Sequence, residues 1–442
     1  MITKLVCRNF KSFGTTGGEI PLGPLTLIVG TNASGKSNIR DALRFIHGIS
    51  RGYSLPEIIG GKYGEGGERI WDGIRGGILE LDNHSGGTGQ FTLGVESNIG
   101  YSAKIQQHGR EPQTASAHYH FSYEITIAID PKKSLAHIVE ESLKCNGKLP
   151  FSTAQAVLKS PQSRDPNEIM ARVLNPRAKK FLGPTITLRR EIPLVSQLSR
   201  KDGLTGYVAN ACSWFLTSIG SCRFLDLDPQ ALRMPTLPGQ VVFGNKGENL
   251  PSILKAICED PSQKEVLIDW IRELTPMDVT DLEFFESPMD GKTQTYIIEG
   301  NGGRISAHSA SDGTLRFLAY LAALLGTQKA SLYFFEEIEN GIHPNRIHLL
   351  LELLHQSTKR GSPHVVATTH SPALLNFLRD RPLQDALVVA RSERGSIVRR
   401  FADMPIIERD KTRAGELLQT GWFETTSTFM AADEQEKEQQ PQ

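Results

Sequence analysis

At 442 residues the chain exceeds the usual range of one hydrophobic core, so a large α/β core with a substantial insertion, or two domains, is expected. Its 49 Lys and Arg balance 49 Asp and Glu, which removes any whole-protein electrostatic case for nucleic-acid binding but leaves a local basic groove open. No run approaches the roughly eighteen apolar residues of a membrane span, the start lacks a signal-peptide pattern, and five scattered cysteines show no CxxC spacing, so a cytoplasmic protein with reduced thiols is expected.

Residues 2–10 read as an edge or lid strand, and residues 22–29 as a strand leading into Gly30-Thr-Asn-Ala-Ser-Gly35-Lys36-Ser37. A helix from Asn38 follows and ends near Gly48, so the order is strand, tight loop, helix. That is the context a phosphate-binding loop requires. Gly30 and Gly35 permit a compact curl whose backbone N–H groups, through Asn32, Ala33, Ser34 and Asn38, surround phosphate oxygens at a helix N-terminus. Lys36 would reach the β- and γ-phosphates of ATP, and Ser37 would place its hydroxyl on Mg²⁺.

The glycine-dense stretch from 48 to 100 favours turns between short strands, and residues 91–96 and 119–129 alternate well enough to be antiparallel strands. A β-rich lobe within the first 130 residues is expected. Residues 131–275 form an insertion and linking region, read as largely helical, with basic residues at Arg177, Lys179, Lys180, Arg189, Arg190, Arg200 and Lys201. A solvated polar face is their ordinary reading, and sparse aromatics weaken a single-strand stacking role. Residues 251–257 and 261–274 look helical, and residues 278–286 and 293–299 look like strands around Asp290-Gly291. Within a C-terminal segment spanning residues 276–425, helix and strand alternate after Ser309 to about residue 400, as in a mostly parallel layered sheet. The polar end, residues 426–442, is expected to be disordered.

Three distal stretches carry the chemistry that the loop lacks. Residues 332–335 form an apolar strand from whose end Glu336 and Glu337 emerge, where open α/β sheets bind ligands. Glu336 would hold Mg²⁺ through its hydration shell, and Glu337 would orient and deprotonate an attacking water. Glu339 caps the next segment or meets a partner subunit and is not taken as catalytic. Residues 365–369 repeat the design, with His370 at the tip, able to bond the γ-phosphate or the water. Ser309, Ser311, Asp312 and Gly313 precede an apolar helix; capping and contact with a γ-phosphate are equally good readings.

The order and spacing of these four stretches resemble the ABC-type ATPase core shared by the SMC, Rad50 and RecF groups, and more narrowly the ATPases grouped with the overcoming-lysogenization-defect proteins. The resemblance implies a P-loop NTPase with a mixed sheet and flanking helices. In it residues 30–37 are Walker A, residues 309–313 a divergent signature, Glu336 and Glu337 Walker B with its catalytic glutamate, and His370 the switch histidine. Arg8 and its neighbours to Phe13 would match the opening turn beside the nucleotide base. The signature reads Ser-Asp-Gly rather than Ser-Gly-Gly, the metal-site acid is Glu rather than Asp, and Ile338 stands where Pro is usual. Gln90 is left outside the site set.

By resemblance, two copies would sandwich ATP between one Walker A and the other's signature, making an ATP-gated homodimer. Control of duplex DNA recognition or of an effector such as a separately encoded nuclease, in antiphage defence or genome maintenance, is the leading expectation. The ATPase subunit of a membrane transport complex, itself without membrane insertion, and a non-DNA protein switch are the alternatives. Asp226 and Asp228 form an Asp-x-Asp pair, but no partner acids of a topoisomerase-primase nuclease follow, so turn and cap roles are expected for them.

Overall fold

Strands rich in Val, Ile, Leu and Phe, without polar alternation, must be covered on both faces, and they occupy the centre of the molecule. A computed structural model describes residues 1–403 apart from 16–17, 83–88, 106–112, 155–157, 159–162, 175–182, 205, 276, 360–362, 379 and 393. The expected tail at 426–442 and the basic residues Arg177, Lys179 and Lys180 lie outside the described residues. Five strands run parallel in the order Cys222–Leu225, Leu332–Phe335, His364–Thr369, Leu25–Gly30 and Leu387–Ser392, and Gly395–Arg400 closes the edge antiparallel to the last.

Every residue of Leu25–Gly30, Leu332–Phe335 and His364–Thr369 is buried. The pleat sends alternate side chains into two cores. Leu25, Leu27, Val29, Tyr333 and Phe335 enter one, together with the helices Leu250–Cys258, Pro261–Leu274, Asp312–Leu325 and Ile347–Thr358. Ile28, Leu332, Phe334 and Val366 enter the other, against the helix Lys36–Ser50 and a second sheet.

That second sheet has eight antiparallel strands, in the order Thr185–Arg189, Glu168–Val173, Lys148–Ser152, Leu135–Cys145, Gln113–Asp130, Gln90–Ile105, Ile2–Arg8 and Gly18–Pro21. The expected β-rich lobe therefore continues to Arg189, and helices take over from Leu194–Leu198 onward. The cause is visible in Leu135–Cys145, whose side chains alternate between core and surface and pair along Gln113–Asp130. The expected hairpin around Asp290-Gly291 is present as Val279–Glu286 and Thr293–Glu299, joined by Arg304–Ser306. The five cysteines are unpaired, and all but Cys258 are buried.

Register positions the site. Phe335 lies opposite Ala367, and Thr369 opposite Val29, so three neighbouring parallel strands end together. The glycine loop, the acid pair and the histidine all leave the sheet at this one end.

Candidate nucleotide site

The loop at 30–37 is shaped by residues that tolerate its backbone. Gly35 sits at φ +114° immediately before the helix Lys36–Ser50, a conformation that L side chains rarely adopt. A Cβ there would lie 2.3 Å from Ser396 Oγ, and one on Gly30 2.5 Å from the Val389 carbonyl oxygen. Asn32 and Ala33 are exposed at the crest, with Ala33 at φ +62°, while Ser34 is buried and its hydroxyl has no partner among the described residues. Ser396 Oγ donates to the Ser34 carbonyl at 2.5 Å and so accepts from Ser12 Oγ at 2.7 Å, and Asn38 Nδ2 donates to Ser12 Oγ at 2.6 Å. Asn38 thus ties the loop helix to the turn after the first strand. The Ser37 hydroxyl is half-buried and has no partner among the described residues; its carbonyl accepts from Arg75 at 2.7 Å.

Lys36 curls back over the loop. Its Nζ donates to the Gly30 carbonyl at 2.6 Å and the Thr31 carbonyl at 2.8 Å, and lies 3.1 Å from His370 Nδ1. Burial pulls its pKa down to about 8, against the opposing pull of Glu337 and Glu339. A desolvated ammonium held by carbonyl dipoles, inside a curl too tight for side chains, fits an anionic ligand such as the phosphates of ATP.

His370 bridges the loop to the acids. An ammonium can only donate, so Nδ1 accepts from Lys36; Nε2, 2.8 Å from Glu337 Oε1, then carries the proton and donates to that carboxylate. This bond, followed by that from Asn340 Nδ2 and the charge of Lys36, holds the Glu337 carboxyl below its ordinary range against a smaller burial effect. Glu337 stands at φ +47°, strained for a residue with a side chain, and its N–H donates to Thr368 Oγ1 at 3.0 Å.

Glu336 faces elsewhere. One carboxylate oxygen lies 3.0 Å from an Arg40 guanidinium nitrogen, with the side chains 19% and 9% exposed. Among the described residues no cluster of three metal-ligating side chains exists. Ser37 and Glu336 could still hold a hydrated Mg²⁺, which takes few protein ligands and keeps several waters. Sequence reasoning missed Arg40, although it lies one helical turn beyond Lys36, on the same face, a spacing that could have flagged it.

The segment 309–313 stays local. Ser311 caps the helix Asp312–Leu325 by accepting from Thr314 N at 3.1 Å, Asp312 pairs with Arg233 at 2.6 Å, and Ser309 bonds Ser306. Among the described residues none of its hydrogen bonds or ion pairs reaches the glycine loop. A Cβ on Gly313 would lie 2.6 Å from the Gly341 carbonyl oxygen, so this helix start packs on the turn beyond Glu337. A cleft of about 500 Å³ opens there, lined by Ser311, Gly313, Thr314, Gly341, Asn345 and Arg346 among others. Arg8 pairs with Glu124 at 3.0 Å on the surface of the eight-stranded sheet. Asp228 caps the short helix Pro229–Arg233 by accepting from Gln230 N, the cap role expected for it.

A parallel sheet whose strand ends bring a glycine loop, an acid pair and a histidine together is the architecture of a P-loop nucleotide-binding domain. The chain belongs to the family described as "AAA domain, putative AbiEii toxin, Type IV TA system", whose model matches residues 25–133 and 246–376, over half of the sequence. Among curated relatives, the chromosome partition protein Smc of Aquifex aeolicus (strain VF5) is 34% identical over 115 residues, 25% of this chain and 9% of that protein. The chain is thus matched to only a small part of that relative's length. Among solved structures, an Smc head bound to the C-winged helix domain of ScpA is 15% identical, with a TM-score of 0.46 over 90% of this chain and 97% of that one. The SMC head domain from Thermotoga maritima is 13% identical, with a TM-score of 0.38 over 90% and 98% of the two chains.

Proposed function

We propose that the chain binds ATP with Mg²⁺, hydrolyses it, and uses the nucleotide to gate closure of two copies. The observation that carries this reading is His370, whose ring spans Lys36 Nζ and the Glu337 carboxylate at 3.1 and 2.8 Å. The N–H groups of residues 30–38 and Lys36 hold the phosphates; Ser37 and Glu336 hold the metal. When bound, Mg²⁺ neutralises charge developing on the γ-phosphate. Glu337, kept ionised by its donors, takes the proton of the attacking water. His370 donates from Nε2, to Glu337 in the nucleotide-free state and to the water or the γ-phosphate in the loaded one.

The local bonding of Ser309, Ser311, Asp312 and Gly313 supports completion of the site by a second copy, in which these residues face the first copy's nucleotide. Loss of the γ-phosphate then removes the shared contact and lets the pair open. The toxin–antitoxin setting in the family description supports a defence role, with duplex DNA or a separately encoded nuclease as the controlled partner. Among the described residues no helix is long and apolar enough to cross a membrane. Mg²⁺-dependent ATP turnover, measured with and without duplex DNA, tests the reading, alongside sedimentation of the Glu337→Gln protein with ATP. Turnover lost on chelation and an ATP-dependent dimer are expected. No turnover under any condition overturns hydrolysis, a persistent monomer overturns the gated dimer, and indifference to DNA moves the role to a protein partner.

A further inference from the structure

The turn leaving the strand Leu332–Phe335 is stitched to the tip of the neighbouring strand at several points. Glu337 N donates to Thr368 Oγ1 at 3.0 Å, and Ile338 N to the Thr368 carbonyl at 3.1 Å. Glu339 makes the last stitch. Its Oε1 accepts from Thr369 Oγ1 and from the His370 backbone N–H, both at 2.8 Å. The ladder of this strand ends at Thr369 opposite Val29, so the His370 N–H lies beyond any strand partner, and Glu339 supplies its bond. The other oxygen, Oε2, is buried and has no hydrogen-bond partner among the described residues. A carboxylate placed only to cap the turn has no reason to spend one oxygen on the residue whose ring spans Lys36 and Glu337. On its far side the same turn continues through Gly341, whose carbonyl abuts Gly313 at the start of the helix Asp312–Leu325.

We infer that Glu339 is a positioning residue: it fixes the backbone of His370 so that the imidazole stays between Lys36 and Glu337, and it links that ring to the turn on which the 309–313 segment rests. The inference rests on the proposed hydrolytic reading for its catalytic consequence, but the hold itself is independent of turnover. A shift of the turn, as when a second copy presses on the 309–313 face, is passed by Glu339 to the histidine rather than lost in the loop.

The test uses the full chain with Glu339→Ala and Glu339→Gln. Gln keeps an oxygen acceptor at the Oε1 position and removes the charge, so it separates hydrogen bonding from electrostatics. Amide hydrogen exchange at His370 in the nucleotide-free protein is expected to quicken by about tenfold or more in Glu339→Ala and to stay near wild type in Glu339→Gln. The kcat for ATP is expected to fall by about ten- to a hundredfold in Glu339→Ala with nucleotide affinity within about threefold, and to return in Glu339→Gln. Unchanged exchange and kcat in Glu339→Ala overturn the inference, as does a Glu339→Gln protein as impaired as Glu339→Ala, which assigns the effect to charge. Rapid exchange in Glu339→Ala beside a wild type without turnover supports the hold while overturning the hydrolytic reading.

Discussion

Glu141 and Glu337 are the same side chain placed on the two different sheets, and they are held in opposite ways. Glu141 lies within the antiparallel strand Leu135–Cys145 and is 0% exposed. Its oxygens accept from Tyr123 OH at 3.0 Å, Leu194 N at 2.7 Å and Val195 N at 2.8 Å, so the start of the helix Leu194–Leu198 is locked onto the sheet. Burial outweighs these donors and pushes its pKa up to about 7. Glu337 stands at a strand end, with its side chain 45% exposed and its backbone strained, held by His370 and Asn340, and its pKa is depressed. Two backbone donors and a buried tyrosine hydroxyl close Glu141 off from solvent. Glu337 is held by side chains that can turn to another acceptor, and solvent reaches it. Mid-strand burial makes a carboxylate a fastener; the strand tip makes it available for chemistry.

The sharpest way to break this contrast is to remove each charge. Glu337→Gln is expected to bind ATP with near wild-type affinity while losing about 10²- to 10⁴-fold in steady-state turnover, as for loss of a general base. Hydrolysis at the wild-type rate in that variant removes Glu337 from its role. Glu141→Ala should do the reverse. Three buried donors lose their acceptor, costing about 3 kcal/mol in urea unfolding, with turnover per folded molecule unchanged. The pH profile adds a sign. A carboxyl raised from 4.5 to about 7 on folding contributes stability that is complete below pH 4.5 and lost as pH rises through 7. Melting at pH 5 and pH 8 should therefore show a steeper fall for wild type than for Glu141→Gln.

The same contrast explains what could be read from residues alone. Glu336 and Glu337 follow the short strand Leu332–Phe335, and His370 follows His364–Thr369 with its Val-Val-Ala centre, a pattern that marks both a parallel sheet and the end of it where ligands sit. The loop was legible because Gly30 and Gly35 are required by backbone geometry and Lys36-Ser37 by chemistry. Glu141 was not legible: in Leu135–Cys145 it is one of two consecutive glutamates in an alternating strand, and only the arrival of Leu194 and Val195 from more than 50 residues away makes it a core residue. The strands after residue 130 were missed for a different reason: they pair with their neighbours in sequence, and the Asn146-Gly147 turn between Leu135–Cys145 and Lys148–Ser152, with both residues at positive φ, is a hairpin signal that was overlooked. The bonds that Arg40 and Glu339 make were not legible, because their partners, Glu336 and His370, are brought to them by sheet register.

A third prediction concerns the loop lysine. Its pKa lies at about 8 rather than the ordinary 10.5 because burial disfavours the ammonium. An anionic ligand favours that ammonium, so nucleotide binding takes up protons near pH 8. Affinity should weaken as pH rises through 8, approaching about tenfold by pH 9, and the slope should vanish in Lys36→Met. Stability of the nucleotide-free protein runs the other way. Between pH 8 and 10.5 the unfolded lysine binds more protons than the folded one, so this group's contribution rises with pH. Calorimetry at pH 7 and 9 in two buffers of different ionisation enthalpy measures both the affinity and the proton uptake.

The smallest expected effect belongs to Arg40, and it sharpens the comparison because Glu336 combines features of both carboxylates. Like Glu141 it is engaged by a fixed protein partner; like Glu337 it stands at the strand tip. The Arg40–Glu336 pair at 3.0 Å is largely buried, with solvent reaching it mainly at Glu336, whose side chain is 19% exposed. Any metal held through Glu336 must share or displace this guanidinium, because both are cations seeking one carboxylate. Arg40→Gln should therefore lower the Mg²⁺ concentration for half-maximal nucleotide-dependent stabilisation by about fivefold, while Arg40→Lys stays close to wild type. Thermal shift across an Mg²⁺ series at fixed non-hydrolysable ATP analogue reads this without depending on turnover. An Arg40→Gln protein that needs more Mg²⁺ would instead make the arginine a support that orients Glu336 for the metal, and would place Glu336 beside Glu141 as a carboxylate defined by its donor.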